Sequence, residues 1–232
     1  MISIVIPVHN EREQLRELVP LLQRMAREEG PAGILPVLSS GTGDGTAELL
    51  EELGVDWLRA EVSGRAAQMN LGARHANGNV LAFLHADVRP PEGFLRDIRQ
   101  TIGNGHRAGF FSYRFTPETF WLRLNGRATR MDGIFTGGGD QCLFIGKEDF
   151  QALGGFDEQQ VLMEDFEFFR RLKRSGLSYR IVPNDLRVSA RKYACNSYLR
   201  VNLSNLLLLG LFRCGCPPAR LKRLHAKLIR SS

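Results

Sequence analysis

The chain has no apolar run long enough to cross a bilayer: its longest, around residues 203–212, falls well short of the roughly 20 residues a spanning helix needs. Its opening, Met-Ile-Ser-Ile-Val-Ile-Pro, lacks a positively charged start and a leader-length apolar segment, so a secretory signal is not expected. Cysteine is scarce, with four in 232 residues. Cys214 and Cys216 form a C-x-C pair with no second pair or histidine set nearby, which argues against a zinc site. Nothing resembles a disulfide framework, and reduced thiols in a cytoplasmic protein are the expectation. Repeats, low-complexity tracts and long linkers are also missing. Acidic residues stop at Asp185 while ten Lys and Arg follow it, so the tail carries +10 and the rest is net −4 of the overall +6. No aromatic platform accompanies that charge, so nucleic acid is not the expected partner. A phosphate-bearing ligand, an anionic membrane surface or a solvated basic face would each fit it.

What is present is a globular composition, 43% hydrophobic and 24% charged, in a chain long enough for a full core. Residues 2–8 are a β-branched run, after which Leu15, Leu18, Leu22 and Met25 recur at helical spacing. Pro20 is expected to kink or split that helix. A second apolar run spans residues 34–38, where Pro36 argues against complete pairing on both sides. The Gly-rich residues 39–46 form turns, and Asp44 is placed to cap a helix carrying Leu49, Leu50 and Leu53. A short strand over 55–59, a helix over 65–76 and a buried strand over 80–84 follow, the last running into His85-Ala86-Asp87. Pro90 and Pro91 then open a helix through residue 102.

Such βαβα alternation predicts a largely parallel sheet with helices on both faces, binding ligands beyond the carboxyl ends of its strands. His9-Asn10-Glu11, residues 39–46 and His85-Ala86-Asp87 should therefore converge on one crevice. The second half is less regular. It offers strands at 110–115 and 142–145, a helix near 121–130, the run Thr136-Gly137-Gly138-Gly139-Asp140, and a helix over 164–175 with Phe166, Phe169 and Leu172 on one face. The expected organisation is one α/β domain over residues 1–190 with a basic, amphipathic helical extension over 191–232.

Asp87 follows an apolar strand directly, so its carboxylate is placed to hold a divalent cation on a diphosphate, or else to cap the helix after Pro90. His85, two residues earlier, points to the same side of an extended chain and can be a second ligand or a hydrogen-bond donor to phosphate. The company these residues keep is informative. Ser3-Ile4-Val5-Ile6-Pro7-Val8-His9-Asn10-Glu11 resembles the opening strand and loop of family 2 glycosyltransferases. Gly64-Arg65-Ala66-Ala67-Gln68-Met69-Asn70 and Phe83-Leu84-His85-Ala86-Asp87 resemble their sugar-nucleotide segment, and Gly154-Gly155-Phe156-Asp157 with Glu164-Asp165 their acceptor-side block. The combination GRAAQMN, LHAD, GGGDQCLF and MEDFEFFRRL resembles a bacterial subgroup with His in the first place of the usual Asp-x-Asp, some members of which are associated with arsenosugar biosynthesis.

The resemblance implies a GT-A-like fold, a mostly parallel Rossmann-like sheet flanked by helices with a C-terminal helical appendage. It implies an inverting transferase that moves sugar from a nucleotide-diphosphate donor, a UDP-sugar first, to an unidentified acceptor hydroxyl, using Mg2+ or Mn2+. Pro7, His9, Asn10, Glu11 and Ser39 would then line the nucleotide. Arg65 would reach the nucleotide or diphosphate, or stand free on the surface, while Gln68 and Asn70 divide between ligand contact and packing. His85, Ala86 and Asp87 would face the donor, with Asp87 on the metal. Asp165 is the candidate general base, taking the acceptor proton, although Glu164-Asp165 also suits a helix N-terminus. Glu164 and Asp140 would stand on the acceptor side, Asp140 alternatively as a turn residue. Arg191 and Lys192 are candidates to close over the diphosphate.

One departure stands out: Ser39 and Ser40 occupy positions where family members usually place acids that bind the base, which leaves base specificity open. The alternative function is a catalytically degenerate nucleotide-sugar-binding module. In the tail, Leu221, Leu224 and Leu228 share one side and Lys222, Arg223 and Lys227 another, which fits peripheral contact with the inner membrane face or packing on the domain.

Overall fold

Alternate residues of the first strand fill the two sides of the sheet. In β1 (Ile2–Val8), Ile2, Ile4, Ile6 and Val8 enter one apolar layer and Val5 the other. A period of two produces this, and burial on both faces is what a strand inside a parallel sheet needs. The computed structural model describes residues 1–133 and 136–229, so Arg230, counted in the basic tail, lies outside the described residues. After β1 come α1 (Arg12–Glu28), β2 (Ala32–Leu38), α2 (Thr46–Glu52), β3 (Leu58–Arg59), α3 (Arg65–His75), β4 (Val80–Phe83), β5 (Val88–Arg89) and α4 (Phe94–Gly103). The chain continues through β6 (Ala108–Thr116), α5 (Phe120–Ala128), a 3-10 turn (Gly139–Gln141), β7 (Phe144–Gly146), α6 (Lys147–Ala152), α7 (Glu164–Arg174) and β8 (Tyr179–Ser189). It ends with α8 (Arg191–Ala194), α9 (Tyr198–Arg213) and α10 (Pro218–Leu228).

Among the described residues eight strands make one sheet in the order β3-β2-β1-β4-β7-β6-β8-β5. The first four are parallel, β7 enters antiparallel between β4 and β6, β6 and β8 are parallel, and β5 is antiparallel at the edge. The expected α/β architecture therefore forms. Leu15, Leu18 and Leu22 of α1 are fully buried, each contributing about 1.5–3 kcal/mol of transfer free energy. Pro20 does not split α1, which runs as one helix. Pro20 and Arg16 both lie on its exposed face, so the carbonyl that loses its partner is left on the solvent side. At Pro36 β2 is paired with β1 alone, because β3 faces only Val37 and Leu38.

β8 is the element the sequence pattern hid. Pro183, Asn184 and Asp185 interrupt it, and the register with β6 slips there, from Phe111↔Val182 to Tyr113↔Leu186. A bulge absorbs the proline without a missing ladder bond. Asp185 then accepts from Ser112 Oγ at 2.5 Å and pairs with Arg130. At the C-terminus, Leu221 is buried with Leu208, Leu209 and Phe212, and Leu162, Met163 and Phe166 pack on this cluster. The apolar side of α10 is thus spent on packing. No described helix is long and apolar enough to cross a membrane.

Candidate active site

The carboxyl ends of β1, β2 and β4 deliver the three polar segments to one side of the sheet. His9 Nδ1 and Ser39 Oγ are 2.6 Å apart, joining the first two segments. Asn10 accepts from the Gly43 N–H at 3.0 Å. Asp44 accepts from the N–H groups of Arg12 and Thr46, at 3.1 and 3.2 Å, so one carboxylate serves the first turns of both α1 and α2. Gln68, buried on α3, donates to the carbonyls of Val8 and Val37 at 2.8 and 2.7 Å, tying β1 to β2 below the site.

Above these strand ends opens a cavity of about 790 Å³, within the range of small-molecule sites. Of the residues singled out from the sequence it collects Pro7, His9, Glu11, Arg65, Gln68, His85, Ala86, Asp87, Asp140, Glu164 and Asp165, together with Arg191 and Lys192. It does not collect three others. Asn10 shapes the loop, Ser39 stands behind His9, and Asn70 lies on the far side of α3. There Asn70 exchanges hydrogen bonds of 2.9 Å with the backbone of Phe156 in both directions and donates to Glu158.

Charge in the cavity is dense and unevenly compensated. Arg65 pairs with Glu164 at 3.1 Å and stands in the field of Asp165, Asp140 and Asp87. Arg191 lies 3.7 Å from Asp87 and 3.9 Å from Glu11, and Lys192 lies 3.7 Å from Asp140. Burial, reinforced by the Asp140 carboxylate, raises the Asp87 carboxyl above its usual range. Asp140 is held low despite its burial, Lys192 contributing most. Burial and the neighbouring Glu164 push Asp165 well above the carboxylate norm. His85 is driven down to about 3 by burial and by the Arg65 cation, so at neutral pH it is an uncharged imidazole, 3.9 Å from Asp140. Among the described residues no three His, Cys, Asp or Glu side chains converge to enclose a cation. The repulsive Asp87/Asp140 couple instead fits an ion that takes its remaining oxygens from diphosphate and water, as Mg2+ does with one or two carboxylates.

Backbone strain gathers at the rim. Asn10, Cys142 and Met163 have positive φ, of 55°, 48° and 67°. One precedes Glu11, one follows the turn carrying Asp140, and one aims Glu164 and Asp165 inward at the start of α7. Such conformations cost on the order of 1–3 kcal/mol and cluster where geometry matters more than stability. Gly139 is pressed between His85 and Asp165, leaving no room for a side chain. The sequence did not point to the remaining wall. Tyr113 of β6, Asn125 of α5, and Asn202, Asn205, Leu208 and Leu209 of α9 belong to it. Only the i, i+3 spacing of Asn202 and Asn205 within a leucine-rich helix could have marked α9 as polar toward a cavity.

Residues 3–169 match the sequence profile of glycosyl transferase family 2. An undecaprenyl-phosphate 4-deoxy-4-formamido-L-arabinose transferase of Salmonella paratyphi B is 30% identical over 103 residues, which is 41% of this chain and 32% of that protein. The chain spans about a third of the curated relatives it matches. Among solved structures, a mannosyltransferase of Pyrobaculum calidifontis in complex with GDP-Man and Mn2+ superposes with a TM-score of 0.67 at 18% identity, over 98% of this chain and 68% of that one. S. aureus TarS (residues 1–349) in complex with UDP gives 0.64 at 14% identity, over 98% and 70%. At such identities the likeness concerns the fold, which is GT-A-like.

Proposed function

The chain belongs to glycosyl transferase family 2, and on that premise we propose that it moves a sugar from a nucleotide-diphosphate sugar to an acceptor hydroxyl with inversion. The convergence of Asp87, Asp140 and Asp165 with Arg65, Arg191 and Lys192 in one cavity supports this. Asp165 takes the proton of the acceptor hydroxyl as its oxygen attacks the anomeric carbon and the bond to the diphosphate breaks. Its raised proton affinity suits a base. Charge developing on the leaving nucleoside diphosphate meets Arg65, Arg191 and Lys192. Glu164 holds Arg65 in place. Asp87, with Asp140 beside it, would hold Mg2+ or Mn2+, which when bound neutralises diphosphate charge. Pro7, His9, Glu11 and, through His9, Ser39 face the base and ribose.

His85 in the first place of Asp-x-Asp aligns the chain with the bacterial subgroup resembled above, some members of which are associated with arsenosugar biosynthesis. We place the catalytic unit at residues 1–190 and treat 191–232 as an extension that lends Arg191 and Lys192 to the site. The free thiols Cys142, Cys195, Cys214 and Cys216 favour a cytoplasmic setting. A UDP-sugar remains the first donor to try and GDP-mannose the second, following the ligands of the two structural neighbours.

Thermal shift tests the donor site: wild type and Asp87→Ala against UDP, GDP and their sugars, with and without Mn2+, followed by product analysis. A donor at a hundred times its Kd adds about 2.7 kcal/mol, or roughly 5–10 °C for a domain of this size. That gain should need Mn2+ and vanish in Asp87→Ala. If no nucleotide sugar stabilises the wild type, the proposal fails.

A further inference from the structure

α9 is apolar around most of its circumference, yet only half of it is covered. Val201, Leu208, Leu209 and Phe212 are buried, and two of these form cavity wall. On the outside Leu199, Leu203, Leu206 and Leu207 are 48–68% exposed. α5 lies alongside, joined through the Trp121 and Tyr198 rings at 5.8 Å and through Asn125 and Asn202 at 3.0 Å. It exposes Phe120, Trp121 and Leu124, each more than half. Soluble surfaces scatter such residues singly, whereas large side chains gathered on two adjoining helices mark a surface meant to be covered.

The charge around this face selects what covers it. From residue 186 onward the chain has no Asp or Glu. Arg200 and Arg213 bracket the leucine stripe, Arg123 and Arg127 stand on α5, and Lys222, Arg223 and Lys227 are exposed on α10. Glu118, at the approach to α5, is already paired with Arg123. A second copy of the same face would set cations against cations, which opposes association. An anionic lipid surface meets both requirements, since acyl chains accept the leucines and lipid phosphates accept the arginines and lysines. At 16 residues α9 is about 24 Å long, so it can lie in the interface and cannot span.

We propose that the outer face of α5 and α9 docks on an anionic lipid bilayer. The membrane-facing helix is then α9, whose inner side walls the cavity, and not α10, whose Leu221 and Leu224 pack into the cluster with Leu208, Leu209 and Phe212. Docking seats the cavity beside the membrane. This does not depend on the transferase reading, and its test uses no sugar donor.

The full chain is mixed with vesicles of phosphatidylcholine alone or with phosphatidylglycerol and followed by flotation. In a Trp57→Phe background, Trp121 emission reports its own environment. Phosphatidylglycerol vesicles should float the protein, raised salt should weaken binding, and Trp121 should shift to the blue. Leu203→Glu/Leu207→Glu, altering exposed positions only, should retain its melting temperature and lose at least about tenfold in vesicle affinity. Three results would overturn the proposal: no binding to anionic vesicles, binding indifferent to the double substitution, or a concentration-dependent dimer that the substitution dissolves while vesicles leave the wild type unbound.

Discussion

Gly139→Ala is the sharpest probe of how the cavity is built. The residue lies in a 3-10 turn, a conformation alanine adopts without strain, so the added methyl group acts by contact alone. Its β-carbon would fall 2.5 Å from Asp165 Oδ2 and 2.7 Å from His85 Nε2, and nearer still to His85 Cε1. Ordinary contacts are about 3.5 Å, so the carboxylate and ring must retreat by roughly 1 Å. Overpacking of this kind costs about 1–3 kcal/mol of stability, and a 1 Å displacement of a reacting group costs about a hundredfold in rate. Initial rates of sugar transfer, measured beside urea unfolding, should show both effects. Gly103→Ala is the control, because nothing lies within 4 Å of its β-carbon. A Gly139→Ala protein with wild-type kcat would refute both the placement of Asp165 against this turn and its role as base.

Asp165→Asn should abolish transfer while preserving donor-induced stabilisation. Because the folded state raises this carboxyl, its penalty is absent below the unfolded pKa of about 3.9 and grows as pH rises toward the folded value. The variant should therefore melt above wild type at neutral pH, and the gap should close toward pH 4; a gap independent of pH contradicts the argument. Asn70→Ala strands the N–H and C=O of Phe156, so urea unfolding should register a loss of about 1–3 kcal/mol with donor affinity unchanged. Loss of donor affinity at unchanged stability would make Asn70 a ligand contact. Gly210→Ala, with open space around it in α9, should add about 0.5–1 kcal/mol. Gly126→Ala in α5, 2.9 Å from the Tyr113 carbonyl, should destabilise by about 1–3 kcal/mol; equal effects on thermal melting would contradict the α5–β6 packing.

The parallel half of the sheet was legible because β1 and β4 are buried on both faces and read as continuous apolar runs, with turn and cap chemistry between the elements. Ile2, Ile4, Ile6 and Val8 announce β1 in this way, and Asp44 announces the start of α2. The α/β sheet and the convergence of the polar segments 9–11, 39–46 and 85–87 at its strand ends followed from that order. β8 was not legible, since Pro183 and Asp185 look like loop residues until β6 is beside them to accept a bulge. Nor was the direction of α9. Leucine spacing on α10 left membrane contact and packing on the domain both open, and only tertiary contacts reveal that Leu221 turns inward and Leu203 outward. Asn70 illustrates the same limit, because a polar residue in a donor-like motif can be wholly engaged with backbone.

β5 has consequences for how the protein is made. The residue after Asp87, Val88, pairs with Val188, and Arg89 pairs with Arg187, at the outer edge of the sheet. The strand partner of the segment after Asp87 is therefore synthesised a hundred residues after the segment itself. At about 5–20 residues per second, a ribosome leaves that segment without its strand partner for roughly 5–20 s. During that interval the nascent β1, β2 and β4 can already pair, and the Asp87 loop is held only from its own side, by Arg89 donating to the Ala86 carbonyl and to Gln14. The cavity wall is complete only after β8 has slotted between β6 and β5, because Arg191, Lys192 and the lining residues of α9 all follow β8 in the chain.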